Sequence, residues 1–104
     1  MYVPRHFAMD GLADQHALIE ANDFAVLVVN GSDGLFATHV PMLLKRDEGL
    51  FGTLYAHLAR ANPQAQMTGR EMLAVFSGPH GYISPTWYSD RSMNVPTWNY
   101  SAVH

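Results

Sequence analysis

The stretch FAVLVVNGSDGLFATHVP, Phe24 to Pro41, decides how this chain folds. Its opening residues, Phe24 to Asn30, are a continuous β-prone run, and the turn signal GSDG follows directly. Leu35 to Leu44 then reads as the returning strand of a hairpin. Pro41 falls inside that return. Proline has no N–H to give to a ladder, so Pro41 marks an edge position, a bulge or a strand end.

Upstream of the hairpin, after an extended Tyr2-Val3-Pro4, Asp10 is placed to N-cap a helix over Leu12 to Ala21. Leu12, His16 and Ile19 share one face, Leu18 widens it, and Asn22 is a reasonable stop. Downstream, RDEG turns the chain into a third strand, Leu50 to His57. Asn62 is placed to N-cap a short helix with Pro63 at its first position. Met72 to Gly78 is a fourth strand, Pro79 to Pro96 is rich in turn formers and reads as irregular, and Trp98 opens a fifth strand.

Hairpin-linked strands with one leading helix and one short crossover helix imply a mainly β fold with short helices, an antiparallel sheet closing into a small barrel. A last strand with an open edge calls for a partner subunit or for more chain. We expect the N-terminal part of a longer domain, and a dimer.

The 104 residues make a single domain, 48% hydrophobic and 12% aromatic, able to bury a core. Six Lys+Arg against nine Asp+Glu give a formal net charge of −3, which argues against a general nucleic-acid surface. No cysteine is present, so disulfides and thiolate metal sites are excluded. The N-terminus lacks a secretory apolar core and no run is long enough to span a membrane, so a soluble cytoplasmic protein is expected. The six histidines show neither H-x-H nor H-x-x-x-H spacing, and no metal site is expected. Nucleophile-elbow, P-loop and dinucleotide fingerprints are missing as well.

Polar and aromatic residues gather beside strand ends in four segments. Arg60 sits just before the helix start at Asn62 and Pro63, where free N–H groups and a guanidinium suit a phosphate. A capped helix beside a solvated arginine has the same spacing. Thr38 and His39 point to opposite strand faces, so one can address a ligand while the other packs. His57 and His80 are more simply structural. Trp87 and Trp98 suit stacking on a flat ring, or anchoring a core or a subunit interface. Thr97 and Asn99 flank Trp98 on the opposite face and suit the edge of a heterocycle, or merely loop backbone.

The segments MYVPRHF, ATHVP, GTLYAHLARANPQ, LAVFSGPHGYISPTWY and VPTWNYSAVH occur in an order and composition that resemble the PaiB family, the FMN-binding negative transcriptional regulators. The resemblance implies an antiparallel split β-barrel of the FMN-binding split-barrel type, related to pyridoxamine-phosphate oxidases and built as a homodimer with FMN at the subunit interface. It implies a phosphate site in the segment from His57 to Pro63, with Arg60 as main cation and Asn62 assisting. Thr38 and His39 would lie along the isoalloxazine. Ser84, Trp87, Thr97, Trp98 and Asn99 would complete the pocket from the second subunit.

Members of that family continue past WNYSAVH, so the resemblance places this chain at the N-terminal part of the family domain. The function implied is FMN-binding negative transcriptional regulation, acting through DNA or a regulatory protein. The alternative is a small flavin-dependent oxidoreductase, with His39 the first candidate beside the flavin. No catalytic acid–base pair stands out, and no membrane role is expected.

Overall fold

The hairpin forms where the continuous β-prone run and the GSDG turn signal place it. In the computed structural model, which describes all 104 residues, β1 (Phe24–Gly31) pairs antiparallel with β2 (Gly34–Pro41) from Phe24↔Pro41 to Gly31↔Gly34. Gly34 takes φ 110°, which a side chain would resist, at the point where the chain reverses. Pro41 is the last residue of β2, and β2 is an edge strand, so its missing N–H costs no ladder bond.

The strand expected to run to Leu44 therefore stops at Pro41. Beyond Met42 the chain joins a separate two-stranded sheet, β3 (Leu43–Lys45) against β4 (Thr53–Tyr55). The strand expected over Leu50 to His57 shrinks to those three residues of β4. Gly49 (φ 79°) and Gly52 (φ 92°) hold Leu50 and Phe51 in a loop instead.

β5 (Met72–Ile83) is longer than expected, because a bulge between Ser77 and His80 absorbs Pro79 where a regular ladder would have rejected it. β6 (Thr97–Val103) completes a four-stranded sheet of order β2-β1-β5-β6. The fold is mainly β and antiparallel, with one α-helix. No ladder connects the two sheets.

Helix α1 spans Leu12–Ala21, as the apolar spacing indicates. Its N-cap is Gly11 rather than Asp10, with no side-chain cap, and Asp14 is the acid in the first turn that complements the helix dipole. Asn22 stops the helix. Its N–H donates to the Ile19 carbonyl, and its side-chain Nδ2 donates to the Leu18 carbonyl at 2.9 Å.

Ile19, with Leu18 beside it, packs on Ala25, Val40, Met42, Leu44 and Phe76 to form the core. His16 is buried too, and its Nε2 donates to the Phe51 carbonyl at 2.8 Å. Arg46 clamps the other end of the β3–β4 hairpin to α1 through Glu20, at 2.8 and 2.5 Å.

α1 covers one face of the sheet only. The registers put Val26, Val28, Leu73 and Val75 together on the opposite face. The same alternation carries that face across β6 through Ala102, Tyr100 and Trp98. It holds no Asp, Glu, Lys or Arg. Phe24, Leu73, Trp98 and Tyr100 on it remain 46–65% exposed.

The molecule is correspondingly elongated, 54 × 34 × 20 Å, with a radius of gyration of 17.3 Å. A compact chain of this length would have about 13 Å. Ten of 104 residues are buried, which is little support for an isolated domain.

Candidate functional site

Several of the residues nominated from the sequence fall into two clusters. The first forms where the connection after β4 returns to β2. Asn62 caps the 3-10 turn Pro63–Gln66, its Oδ1 accepting from the Gln64 N–H at 2.9 Å. Its Nδ2 donates to Thr38 Oγ1 at 3.0 Å, which ties the turn to the edge strand.

The expectation of a capped helix start with Pro63 first is met, yet free N–H groups are scarce there. Pro63 has none, Gln64 gives its own to Asn62 Oδ1, and Ala65 gives its own to the Asn62 carbonyl. An anion at this corner would depend on Arg60. Arg60 is exposed, and the protein's one ion pair lies elsewhere, between Arg46 and Glu20. No carboxylate neutralises it. His57, three residues earlier, is also exposed.

Behind this corner Gln64 is 2% exposed and donates through Nε2 to the Leu27 carbonyl at 3.1 Å. Its Oε1 is buried without a donor. The turn is thus pinned to both β1 and β2.

The second cluster lies on β5 and β6. His80 and Tyr82 flank Trp98 with ring centroids 6.0 Å away in each case, Tyr82 edge-on. These rings stand on the sheet face opposite α1, with Trp98 57% and Tyr82 45% exposed. Sequence reasoning passed over Tyr82 and treated His80 as structural. The signal is the pairing Tyr82↔Trp98, a cross-strand relation invisible to local spacing.

Thr97 and Asn99 project to the other face, as alternation requires. Beside β6 and the N-terminal segment runs a groove of about 770 Å³, lined by Tyr2, Phe7, Trp98, Tyr100 and Val103 among others.

The two Pro-Thr-Trp triplets are built differently. Pro85–Trp87 is a 3-10 turn capped by Ser84, whose Oγ accepts from the Thr86 N–H at 3.2 Å and bonds Thr86 Oγ1 at 2.8 Å. Ser84 thereby serves its own turn, and Trp87 stands 68% exposed. In the second triplet Pro96 precedes β6, and Thr97 and Trp98 open that strand.

Thr38 and Trp98 sit on opposite edges of the four-stranded sheet and on opposite faces, since Thr38 pairs with the core-facing Leu27. His39 shares the face of Trp98, stacked beside Phe24 at 6.2 Å, but at the far edge. One chain does not bring these groups to a single ligand. Groups with displaced acidity lie outside both clusters. Glu20 is held low by its hydrogen bond from Arg46, Tyr55 is raised by its bond to Glu48, and Asp90 is lowered by Ser92.

The family model described as "Putative FMN-binding domain" matches residues 1–104. The chain is 37% identical over 107 residues to the Protease synthase and sporulation protein PAI 2 of Bacillus subtilis, covering 100% of this chain and 50% of that protein. An uncharacterised protein of Aspergillus fumigatus is 34% identical over 101 residues, covering 66% of this chain and 39% of that protein. Another, from Emericella nidulans, is 28% identical over 134 residues, covering 99% and 53%. The chain therefore spans about half the length, or less, of these relatives.

Proposed function

The chain belongs to this FMN-binding domain family, a PaiB-type family whose cofactor is FMN, and on that premise we propose that it holds FMN between two copies of itself. One observation carries the two-copy reading. The exposed cation Arg60 and the Thr38–Asn62 pair belong to the β2 edge, whereas the aromatic patch of His80, Tyr82 and Trp98 belongs to the opposite edge and face.

A ligand with an anionic tail and a flat ring needs both. It receives both only if the ring stacks on one copy while the tail meets the other. An unneutralised guanidinium suits a phosphate, and an uncharged, half-exposed aromatic surface suits an isoalloxazine. In this arrangement Trp98 and Tyr82 wall the ring, Arg60 anchors the phosphate, and Asn62 holds the corner rigid. His39, on the ring-facing side of the sheet, lies along it. Thr97 and Asn99 project from the other face of β6 and Ser84 caps its own turn, so of the β6 and triplet residues Trp98 carries the stacking.

The split-barrel arrangement belongs to this proposal as well, with the sheets completed by partner or further chain. When bound, FMN supplies reversible electron transfer, and the chain's own residues bind it, orient it and exclude water.

The function we propose is regulatory, of the PaiB type. The relative in Bacillus subtilis is named for protease synthesis and sporulation, and here no acid–base pair accompanies the aromatic patch. The net charge of −3 favours regulation through a protein partner over a broad DNA surface.

Titration of the purified protein with FMN, followed by tryptophan quenching, tests the binding claim. Saturable quenching, with flavin released on denaturation, supports it; no quenching at micromolar FMN sinks it. Oxidation of a nicotinamide cofactor by the loaded protein would transfer the case to an oxidoreductase.

A further inference from the structure

We propose that the outer edge of β6 is a docking slot for an extended, singly basic segment of a partner protein, which joins the sheet there as an added strand. The inference deepens the reading of regulation through a protein partner and rests on it, but not on flavin.

The two edges of the four-stranded sheet are finished differently. β2 ends in Pro41, and the Asn62 side chain reaches Thr38 from the turn Pro63–Gln66, so that edge is covered. β6 has no such cover. Thr97 to Val103 contain neither a charge nor a proline, the usual guards of a free edge. Their backbone groups pair with β5 alone, and no backbone bond outside the ladders involves them. Alternation aims the N–H and C=O of every second residue outward, unpaired.

This edge lies in a groove. β6 forms one side of the space of about 770 Å³, and N-terminal residues including Tyr2, Phe7 and Asp10 form the other. One residue of an added strand takes a slot of about 3.4 by 4.8 by 10 Å, so the groove holds roughly five residues. The N-terminal segment does not fill the slot itself. Phe7 and Ala8 spend their N–H groups on the Pro4 and Arg5 carbonyls, and the Met9 carbonyl accepts from Gln15 Nε2 at 2.7 Å. A second folded copy is a poor occupant, because its own β6 is recessed beside the same wall.

The chemistry of the groove narrows the partner. Only a polypeptide in extended form presents donors and acceptors at the spacing of a strand edge. Trp98 and Tyr100 stand 57% and 65% exposed on one face of that edge. They favour β-branched or aromatic side chains at alternate positions of the incoming strand, as cross-strand neighbours. Asp10 is the one Asp, Glu, Lys or Arg side chain lining the groove, so a single lysine or arginine complements it.

The probe is the peptide acetyl-Lys-Val-Thr-Val-Thr-Val-amide, titrated into flavin-free, isotopically labelled protein. Saturable shifts of the Thr97 to Val103 amides are expected below about 1 mM peptide. Hydrogen exchange should slow at alternate amides of β6. Two further peptides are N-methylated, one at the valines and one at the remaining residues. A strand shows its donors to the sheet from one alternate set only, so one of the two should bind and the other should not. Asp10→Asn should weaken the parent peptide about twofold to fivefold, the worth of an exposed ion pair.

Absence of binding overturns the proposal, as do shifts centred on β2 or on the β3–β4 hairpin. Equal binding of the two methylated peptides overturns strand addition, and unchanged affinity in Asp10→Asn overturns the basic partner. Amides of β6 that are already protected, and that peptide leaves unmoved, would give the edge to a second copy and also overturn it. FMN is titrated separately. Peptide binding without FMN binding upholds the slot and removes only the cofactor reading, whereas FMN binding without peptide binding removes the slot alone.

Discussion

Asn62 donates through Nδ2 to Thr38 Oγ1 at 3.0 Å while its Oδ1 caps the turn at Gln64, so one side chain fixes the corner from which Arg60 projects. Replacing Asn62 with Ala removes the cap and the tie together. Unfolding by urea should show a loss of about 1–2 kcal/mol, the usual cost of deleting a capping asparagine. Asn62→Asp keeps the acceptor and loses the donor, and should cost less than Ala.

Arg60 has no structural partner, so Arg60→Ala should leave the thermal midpoint unchanged. Its affinity for FMN should nonetheless fall by about 1–3 kcal/mol, the worth of a charge-assisted hydrogen bond. Riboflavin, which lacks the phosphate, should bind wild type and variant alike. Equal FMN affinity in the two proteins would remove Arg60 from the site.

Gly52 has φ 92°, and a Cβ there would lie 3.0 Å from Leu44 Cδ1 and 3.2 Å from His16 Nε2. Gly52→Ala combines backbone strain with a clash against the buried histidine. A loss of about 1–3 kcal/mol is expected in chemical denaturation, the range for a residue forced into a sparsely populated conformation. Gly34→Ala, strained but with open space around it, should cost less.

The Glu20–Arg46 pair gives a pH signature. The hydrogen bond from Arg46 lowers the pKa of Glu20 below its ordinary 4.5. A carboxylate lowered on folding adds stability above its unfolded value, and that stability is lost as pH falls through the folded value. The stability difference between wild type and Glu20→Gln should therefore be present at neutral pH and vanish in acid below the ordinary glutamate range. Both groups are solvent-exposed, so added salt should shrink the difference throughout.

The hairpin from Phe24 was legible because a continuous β-prone run meets the GSDG turn signal, and Pro41 then marks where the return strand, expected to Leu44, stops. The Asn62–Pro63 start was legible for the same kind of local reason. Where the sequence misled, a breaker was absorbed or an apolar pair was left outside a strand. Pro79 looked like a strand end until the bulge in β5 accommodated it, and Leu50 and Phe51 looked like strand until glycines on either side turned them outward. Asp10 lost the cap to Gly11, whose backbone already supplies the extended N-cap geometry.

At the site, individual residues could be nominated but not their sides. That Thr38 and Trp98 occupy opposite faces follows from strand order and register, which couple residues sixty positions apart in the chain. Local spacing holds no such information. The His80–Tyr82–Trp98 patch was missed for the same reason.

The most direct test of a site shared between two copies is FMN titration of a co-refolded mixture of Arg60→Ala and Trp98→Ala chains. Each variant alone should bind weakly. In mixed two-fold dimers one site carries both substitutions and the other carries neither, so about a quarter of all sites should regain wild-type affinity. A mixture that binds no better than its separate components would contradict the account.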